Sequence, residues 1–221
     1  WSEAKKLPDG ILGPIKNKPV QLADGTIICP TSTETSTKPS AWRVHFESSK
    51  DGGQTWSTQQ PASHGDPLTA PLIDAIQPSI LFLGGDKLMA LGRSKQKRIF
   101  SVTSDDHGES WGTMSLLNLP NPNSGTDALT LKDGRHVLIY NHTERGRSPL
   151  NVAVSTDGQN WSAALVLEDE PKAEFSYPAV IQSRDGLIHF TYTWKRKLAK
   201  HVVVDPAKLM LKPIVEGRWP E

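Results

Sequence analysis

Few side chains of this sequence are equipped for chemistry, and most of those suit one kind of ligand. Arg93, Arg145 and Arg147 each carry a planar fork of donors that can hold a carboxylate through two parallel charge-assisted hydrogen bonds. Tyr177 offers a phenolic oxygen, Glu174 stands three residues before it, and Asp127 is a further carboxylate able to exchange a proton. Lys18, Asn17, Gln77 and Asn141 add ammonium and amide groups to what is a polar, basic set. His142 is the histidine placed to move a proton, because His45 and His189 fall within apolar strand patterns. Brought together, these groups would take an acidic ligand through its carboxylate.

Positions as distant as Arg93 and Tyr177, 84 residues apart, can converge if the chain is built from repeats. Ser49-Lys50-Asp51-Gly52-Gly53-Gln54-Thr55-Trp56 recurs as Ser104-Asp105-Asp106-His107-Gly108-Glu109-Ser110-Trp111, and one residue shorter as Ser155-Thr156-Asp157-Gly158-Gln159-Asn160-Trp161. Trp1 sits 55 residues before Trp56 and reads as the end of a further copy. In step with this motif, an apolar run, a tight acidic-Gly turn and a second apolar run recur around Asp24-Gly25, Gly84-Gly85-Asp86, Asp133-Gly134 and Asp185-Gly186. Glycine accepts positive φ without a Cβ clash, so each is a hairpin signal. Third strands follow at 42–46, 98–102, 150–154 and 201–204.

Three antiparallel strands, plus one after the Trp, repeated about every 50 residues, is the pattern of a β-propeller blade. The chain reads as all-β, one propeller domain over 1–221, with blade units of about 12–70, 71–120, 121–170 and 171–221. The last unit lacks the Asp-turn motif and is expected to draw its outer strand from the tail, 207–221. In a propeller the starts of first strands and the ends of second strands open onto the axial channel. Lys16-Asn17-Lys18, Gln77, Thr126-Asp127 and Tyr177 occupy such starts; Thr31 to Glu34, Arg93, Asn141-His142 with Glu144-Arg145, and Thr193-Trp194 occupy such ends.

The Ser-x-Asp-x-Gly-x-Thr/Ser-Trp turns resemble the Asp-boxes of the sialidase (neuraminidase) superfamily, and Gly13 to Pro19, Leu119 to Asp127 and Glu174 to Val180 are similar to its Asp-box (BNR) repeat branch. The resemblance implies a six-bladed propeller of which this chain holds about four blades, roughly the C-terminal two-thirds. It also implies a glycoside hydrolase of exo-sialidase type acting on an acidic sugar, with three Arg on the sugar carboxylate, a Tyr nucleophile polarised by a Glu, and an Asp acid/base. Position by position, Arg93 matches the second Arg, Arg145 or Arg147 the third, and Tyr177 the nucleophile, with Asp127 or Glu174 left to supply a carboxylate. Where the Glu partner belongs this sequence has Gln77, which cannot act as a base. The first Arg and the Asp acid/base fall in blades outside this chain. Two other readings stay open: a polysaccharide lyase on a uronate-containing glycan, with Tyr177 and His142 moving protons, and a non-catalytic glycan-binding propeller. Asp51, Asp106 and Asp157 themselves read as turn chemistry, each followed by a Trp that packs between blades.

Composition narrows the partners. With 25 Lys+Arg against 24 Asp+Glu there is no electrostatic footprint for nucleic acid or anionic lipid, and no apolar run approaches the about 20 residues of a membrane helix. The seven His show no metal-ligand spacing and no Gly-rich phosphate loop is present, so neither metal nor cofactor is expected. Cys29 lies in an apolar run and reads as a buried strand residue. One cysteine leaves the compartment open, extracytoplasmic included, and any signal peptide is expected upstream of Trp1. An uncovered blade edge invites association, with the further blades or another chain.

Overall fold

The computed structural model describes residues 3–65 and 72–221. Trp1, and the first unit boundary near residue 70, lie outside the described residues. Four antiparallel sheets follow one another along the chain as propeller blades. The first comprises β1 (Val20–Gln21), β2 (Ile27–Glu34), β3 (Trp42–Ser49) and β4 (Ser57–Gln59). After the short β5 (Pro61–Ser63), the second contains β6 (Ala75–Gly84), β7 (Lys87–Ser94), β8 (Arg98–Ser104) and β10 (Ser115–Pro120), while β9 (Trp111–Thr113) pairs in parallel with β5 and so links the first two blades. The third has β11 (Asp127–Thr130), β12 (His136–Tyr140), β13 (Leu150–Ser155) and β14 (Trp161–Glu168); the fourth has β15 (Phe175–Gln182), β16 (Ile188–Trp194) and β17 (Leu198–Val204).

The hairpin turns form where the acidic-Gly signals stand. Gly25, Gly134 and Gly186 take φ of 93°, 87° and 89°, and Asp24, Asp133 and Asp185 each accept a backbone N–H two residues on, from Thr26, Arg135 and Leu187.

The tail does not complete the fourth blade, as its place in the sequence suggests, but lies on the third. β18 (Lys212–Pro213) pairs antiparallel with β14, Ser162 opposite Pro213, and Ile214 and Trp219 pack on the apolar cluster between the second and third blades. The edge of β14 beside Trp161 offers both backbone partners and apolar surface. The outer strand β17 keeps an uncovered edge among the described residues, although it too exposes apolar side chains, Leu198 and Val203.

Neighbouring blades share apolar layers. Ile28, Val44 and Phe46 of the first meet Ile80, Leu88 and Phe100 of the second; Leu81, Met89 and Leu91 of the second meet Leu138, Tyr140 and Ala153 of the third; Val137, Val152 and Val154 of the third meet Phe175, Val180 and Phe190 of the fourth. The repeated Ser-x-Asp turns fasten these layers at the rim. Trp111 stacks on Phe46 of the preceding blade, with ring centroids 3.7 Å apart. A Cβ at Gly108 would stand 2.8 Å from Ile28 Cδ1, and one at Gly158 2.8 Å from Met89 Sδ, so in these two motifs the turn glycine is what lets the turn lean on the blade before it.

The turn aspartates act within their own loops. Asp106 accepts from Ser110 N and Oγ and from Ser104 Oγ, and these donors, Ser110 first, hold its carboxyl below the ordinary value. Partial burial pushes Asp157 up, but donors from Asn160, Gln159 and Ser155 win and bring it to about 2. Because the folded values lie below those of the unfolded chain, this stabilisation is complete above about pH 4 and is lost as pH falls further. Asp106→Ala is expected to lower unfolding free energy by about 1 kcal/mol, at the low end because water competes for these bonds. Denaturant titration at pH 7 should show that loss, and at pH 2.5 the difference from wild type should shrink.

Candidate functional site

Two inner strands break register at the channel. The pairing of β6 with β7 shifts between Ile76 and Ser79, and that of β15 with β16 between Ser176 and Ala179. Each bulge contains a residue in the left-handed region immediately before a proline: Gln77 at φ 57° and Tyr177 at φ 49°. Such geometry is uncommon outside glycine and re-aims a side chain. Here it turns Tyr177 out so that half of it is exposed, at the same place in its blade as Gln77 in the second.

Arg93 lies two residues beyond the partner of Ser79, at the end of β7. A Cβ at Gly92 would sit 2.9 Å from Gln77 O, so Gly92 is the residue that lets β7 pass close to the bulge and deliver Arg93 beside it. Arg93 is 8% exposed, its guanidinium carbon lies 4.9 Å from the Trp42 ring centroid, and its Nε has no hydrogen-bond partner among the described residues. Burial lowers its affinity for the proton, while Tyr177 and then Glu34 support the charge and Arg147 opposes it. It is a cation held in a partly desolvated pocket beside a phenol and a second guanidinium.

That second guanidinium belongs to Arg147, which lies 5.4 Å above the Tyr177 ring centroid and donates to Glu174 Oε1 at 3.1 Å. Glu174 also accepts from Arg196 Nε at 2.7 Å and Ser176 Oγ at 3.1 Å, and these donors, Arg196 first, hold it below the usual carboxylate value. A carboxylate gripped this way is a poor base at neutral pH. Arg145 is exposed and turns back on Thr143, so of the two candidate arginines Arg147 is the one beside Tyr177.

The other candidates serve the frame. Asn141 Nδ2 lies within 2.9–3.1 Å of three carbonyls, Arg147 O, Pro149 O and Phe175 O, and thereby sets the loop that carries Arg147. His142 is away from the channel. Its Nε2 donates to Gly217 O at 3.0 Å, which leaves Nδ1 to accept from Tyr140 Oη at 2.6 Å, and burial lowers it to about 4. With both nitrogens committed beneath the tail, it is not poised to move a proton at a ligand.

Asp127 is buried and saturated. Lys18 Nζ donates to both oxygens at 2.8 and 2.7 Å, Ser79 Oγ and Ala128 N to Oδ1 at 2.9 Å each, and Val180 N to Oδ2 at 2.8 Å. These donors come from the second, third and fourth blades and from the segment leading into the first, so the carboxylate joins all four and has no lone pair left for acid/base work. Asn17 is likewise buried, its Nδ2 donating to Gln77 O and Ser79 Oγ. Sequence reading placed Lys16 in the channel ring without assigning it a role, yet its ammonium spans from Asn17 Oδ1 to Thr126 O and Pro178 O. Trp42, beneath Arg93, gave no signal beyond starting a strand. Glu34, with no side-chain hydrogen bond among the described residues, is the uncommitted carboxylate near Arg93. Among the described residues no group of three or more His, Cys, Asp or Glu is placed to hold a metal ion.

Residues 1–190 match the sequence family described as BNR repeat-like domain. No curated protein matches the chain in sequence. Among solved structures it is similar to the NanB sialidase from Streptococcus pneumoniae (TM-score 0.69, 16% identity, covering 87% of this chain and 31% of that one). It is also similar to the leech intramolecular trans-sialidase complexed with 2,7-anhydro-Neu5Ac (0.64, 16%, 86% and 31%). The intramolecular trans-sialidase from Ruminococcus gnavus in complex with oseltamivir carboxylate gives 0.66, 18%, 88% and 44%. The chain thus spans between about a third and under half of these proteins, and at such identities the likeness is one of fold.

Asp127→Asn turns an amide toward Val180 N and the Lys18 ammonium, setting donor against donor. Breaking a fully buried pair costs about 3–5 kcal/mol; Lys18 reaches solvent, so a loss of about 2–3 kcal/mol is expected. Equilibrium denaturation should show this to be clearly larger than the effect of Asp106→Ala.

Proposed function

The chain belongs to the BNR repeat-like domain family, with a sialidase-like propeller fold, and on that premise we propose that it is the ligand-holding part of a glycoside hydrolase acting on an acidic sugar. The observation that carries this is Arg93, a buried guanidinium whose Nε has no partner among the described residues, flanked by Arg147 and Tyr177. A desolvated cation with unused donors is completed by an anion. A sugar carboxylate laid between Arg93 and Arg147 brings its anomeric carbon toward the Tyr177 phenol. As a neutral group, the phenol approaches an anionic sugar without like-charge repulsion and can attack that carbon as the glycosidic bond breaks, provided its proton passes to a base and the leaving oxygen takes a proton from an acid, two roles that Gln77, Glu174 and Asp127 as placed here do not fill.

A second reading is favoured by specific residues. Gln77 stands where a base would face Tyr177, and Glu174 is clamped by Arg147 and Arg196; a propeller that binds an acidic glycan without cleaving it fits both. The lyase reading loses its proton carrier, since both His142 nitrogens are bonded within the fold.

Titration with 3′-sialyllactose and with an oligoglucuronate separates these readings. Arg93→Ala is expected to weaken binding of the preferred acidic sugar by about 1.5–3 kcal/mol, roughly 10- to 150-fold, and Arg93→Lys to recover only part because the fork is lost. Tyr177→Phe is expected to abolish turnover with binding retained. Turnover unchanged by Tyr177→Phe overturns the nucleophile; binding of neither sugar, or binding indifferent to Arg93→Ala, overturns the site. An unsaturated product absorbing in the ultraviolet would restore the lyase.

A further inference from the structure

Two adjacent residues of the segment before β1 reach across the channel and end on the two bulges. Asn17 Nδ2 donates to the carbonyl of Gln77 at 2.7 Å. Lys16 Nζ donates to the carbonyl of Pro178, the residue after Tyr177, at 3.0 Å, to Thr126 O at 2.7 Å and to Asn17 Oδ1 at 2.9 Å. Gly125 sits between the Lys16 side chain and the Tyr177 ring: a Cβ there would stand 3.1 Å from Lys16 Cε and 3.5 Å from Tyr177 Cδ1. Left-handed conformations at residues such as Gln77 and Tyr177 persist only where the surroundings over-determine them, and the Lys16-Asn17 pair is the part of the surroundings that ties down both.

We propose that Lys16 is a positioning residue whose ammonium, braced on Asn17, fixes the Tyr177 bulge and so keeps the phenol beneath the Arg147 guanidinium, and that loss of its proton releases Tyr177. An ammonium has three hydrogens and all three are taken by oxygens that only accept; a neutral amine has two, so one strut must go. Around the ammonium stand Asp127 from the third blade, Lys18 from its own segment, Arg93 from the second blade and the Tyr177 ring from the fourth. Lys16 as a whole is exposed to water, while its ammonium end lies among these groups and its three oxygen acceptors. That enclosure, opposed by Asp127 and reinforced by Lys18 and Arg93, brings it from 10.5 to about 8. Between those values the folded protein holds fewer protons on Lys16 than the unfolded chain, so its contribution to stability rises with pH. On this proposal the release is confined to the Tyr177 bulge.

The consequence for ligand rests on the acidic-sugar reading above; the test does not, because it uses ligand-free protein. The chain has three tyrosines, and with ring 13C-labelled tyrosine the Tyr177 signal is identified by its loss in Tyr177→Phe. From about pH 6.5 to about 9.5, below the ordinary phenol value of about 10, the wild-type signal is expected to move with a midpoint near 8, without a fall in melting temperature. In Lys16→Met it should sit at the high-pH position throughout; in Lys16→Arg, which stays charged, it should stay near the low-pH position. A Lys16→Met signal coinciding with wild type at low pH overturns the proposal, as does a wild-type signal that stays still while the Lys16 Cε resonance titrates. A melting temperature that falls in step with the shift overturns the local brace. Should Lys16→Met not fold, Lys16→Arg and the wild-type titration decide. A failure of the acidic-sugar reading would appear separately, as wild type binding neither 3′-sialyllactose nor oligoglucuronate at any pH.

Discussion

A single buried carboxylate organises the centre of this molecule. Asp127 is 3% exposed, and a charge in that position is tolerable only if its lone pairs are met. The lysine of the N-terminal segment, the serine of β6, its own strand and the backbone of β15 meet them. The blades also touch through apolar layers, which hold sheets together without fixing how far one inner strand slides past the next. Directed bonds from one oxygen pair to several strands supply that register. The channel mouth depends on it, because its groups belong to different blades and have no covalent reason to meet.

The mouth contrasts with this hub in one respect. The Asp127 carboxylate and the Asn17 amide are met by partners, whereas among the described residues Arg93 Nε and Gln77 Oε1 are buried unpaired at the mouth; Trp42 Nε1, Trp111 Nε1, Asn121 Oδ1, Thr126 Oγ1 and Ser148 Oγ are also buried unpaired. Polar groups left unpaired are costly, and so is the left-handed backbone at Gln77 and Tyr177. An unpaired buried guanidinium nitrogen standing with two left-handed inner-strand residues fits the binding site proposed above. The frame also explains why neighbours of similar chemistry differ in role: Arg147 is held by Glu174 over the Tyr177 ring, while Arg145, two residues earlier, faces water.

Much of the fold was legible because its signals are local. The Asp-Gly hairpins and the Ser-x-Asp turns act within a few residues, and Trp111 and Trp161 pack against the preceding blade as their spacing suggests. The tail's pairing with β14 is a long-range choice that no local signal in residues 207–221 encodes. Repeat register alone assigns Arg93, either Arg145 or Arg147, and Tyr177 to one end of the channel, without choosing between the two arginines. Register could not distinguish a channel residue from a strut, since that depends on partners far away in sequence. Asp127 and Asn141 look like reactive or binding groups until their donors and acceptors are counted, and Lys16 looks like an ordinary surface lysine until its three carbonyl-type acceptors are seen. His142 fails for the same reason, its two partners being Tyr140 and the tail's Gly217.

The central claim is that the Arg93 guanidinium, its Nε unpaired among the described residues, serves to hold the carboxylate of an acidic sugar. A crystal structure of the protein with its tightest-binding acidic sugar tests it most directly. The account predicts a sugar carboxylate about 2.7–2.9 Å from the Arg93 nitrogens, Arg147 on its other side and the Tyr177 phenol facing the anomeric carbon. A sugar bound elsewhere, or bound at the mouth with its carboxylate turned to solvent and Arg93 Nε still unpaired, would contradict it.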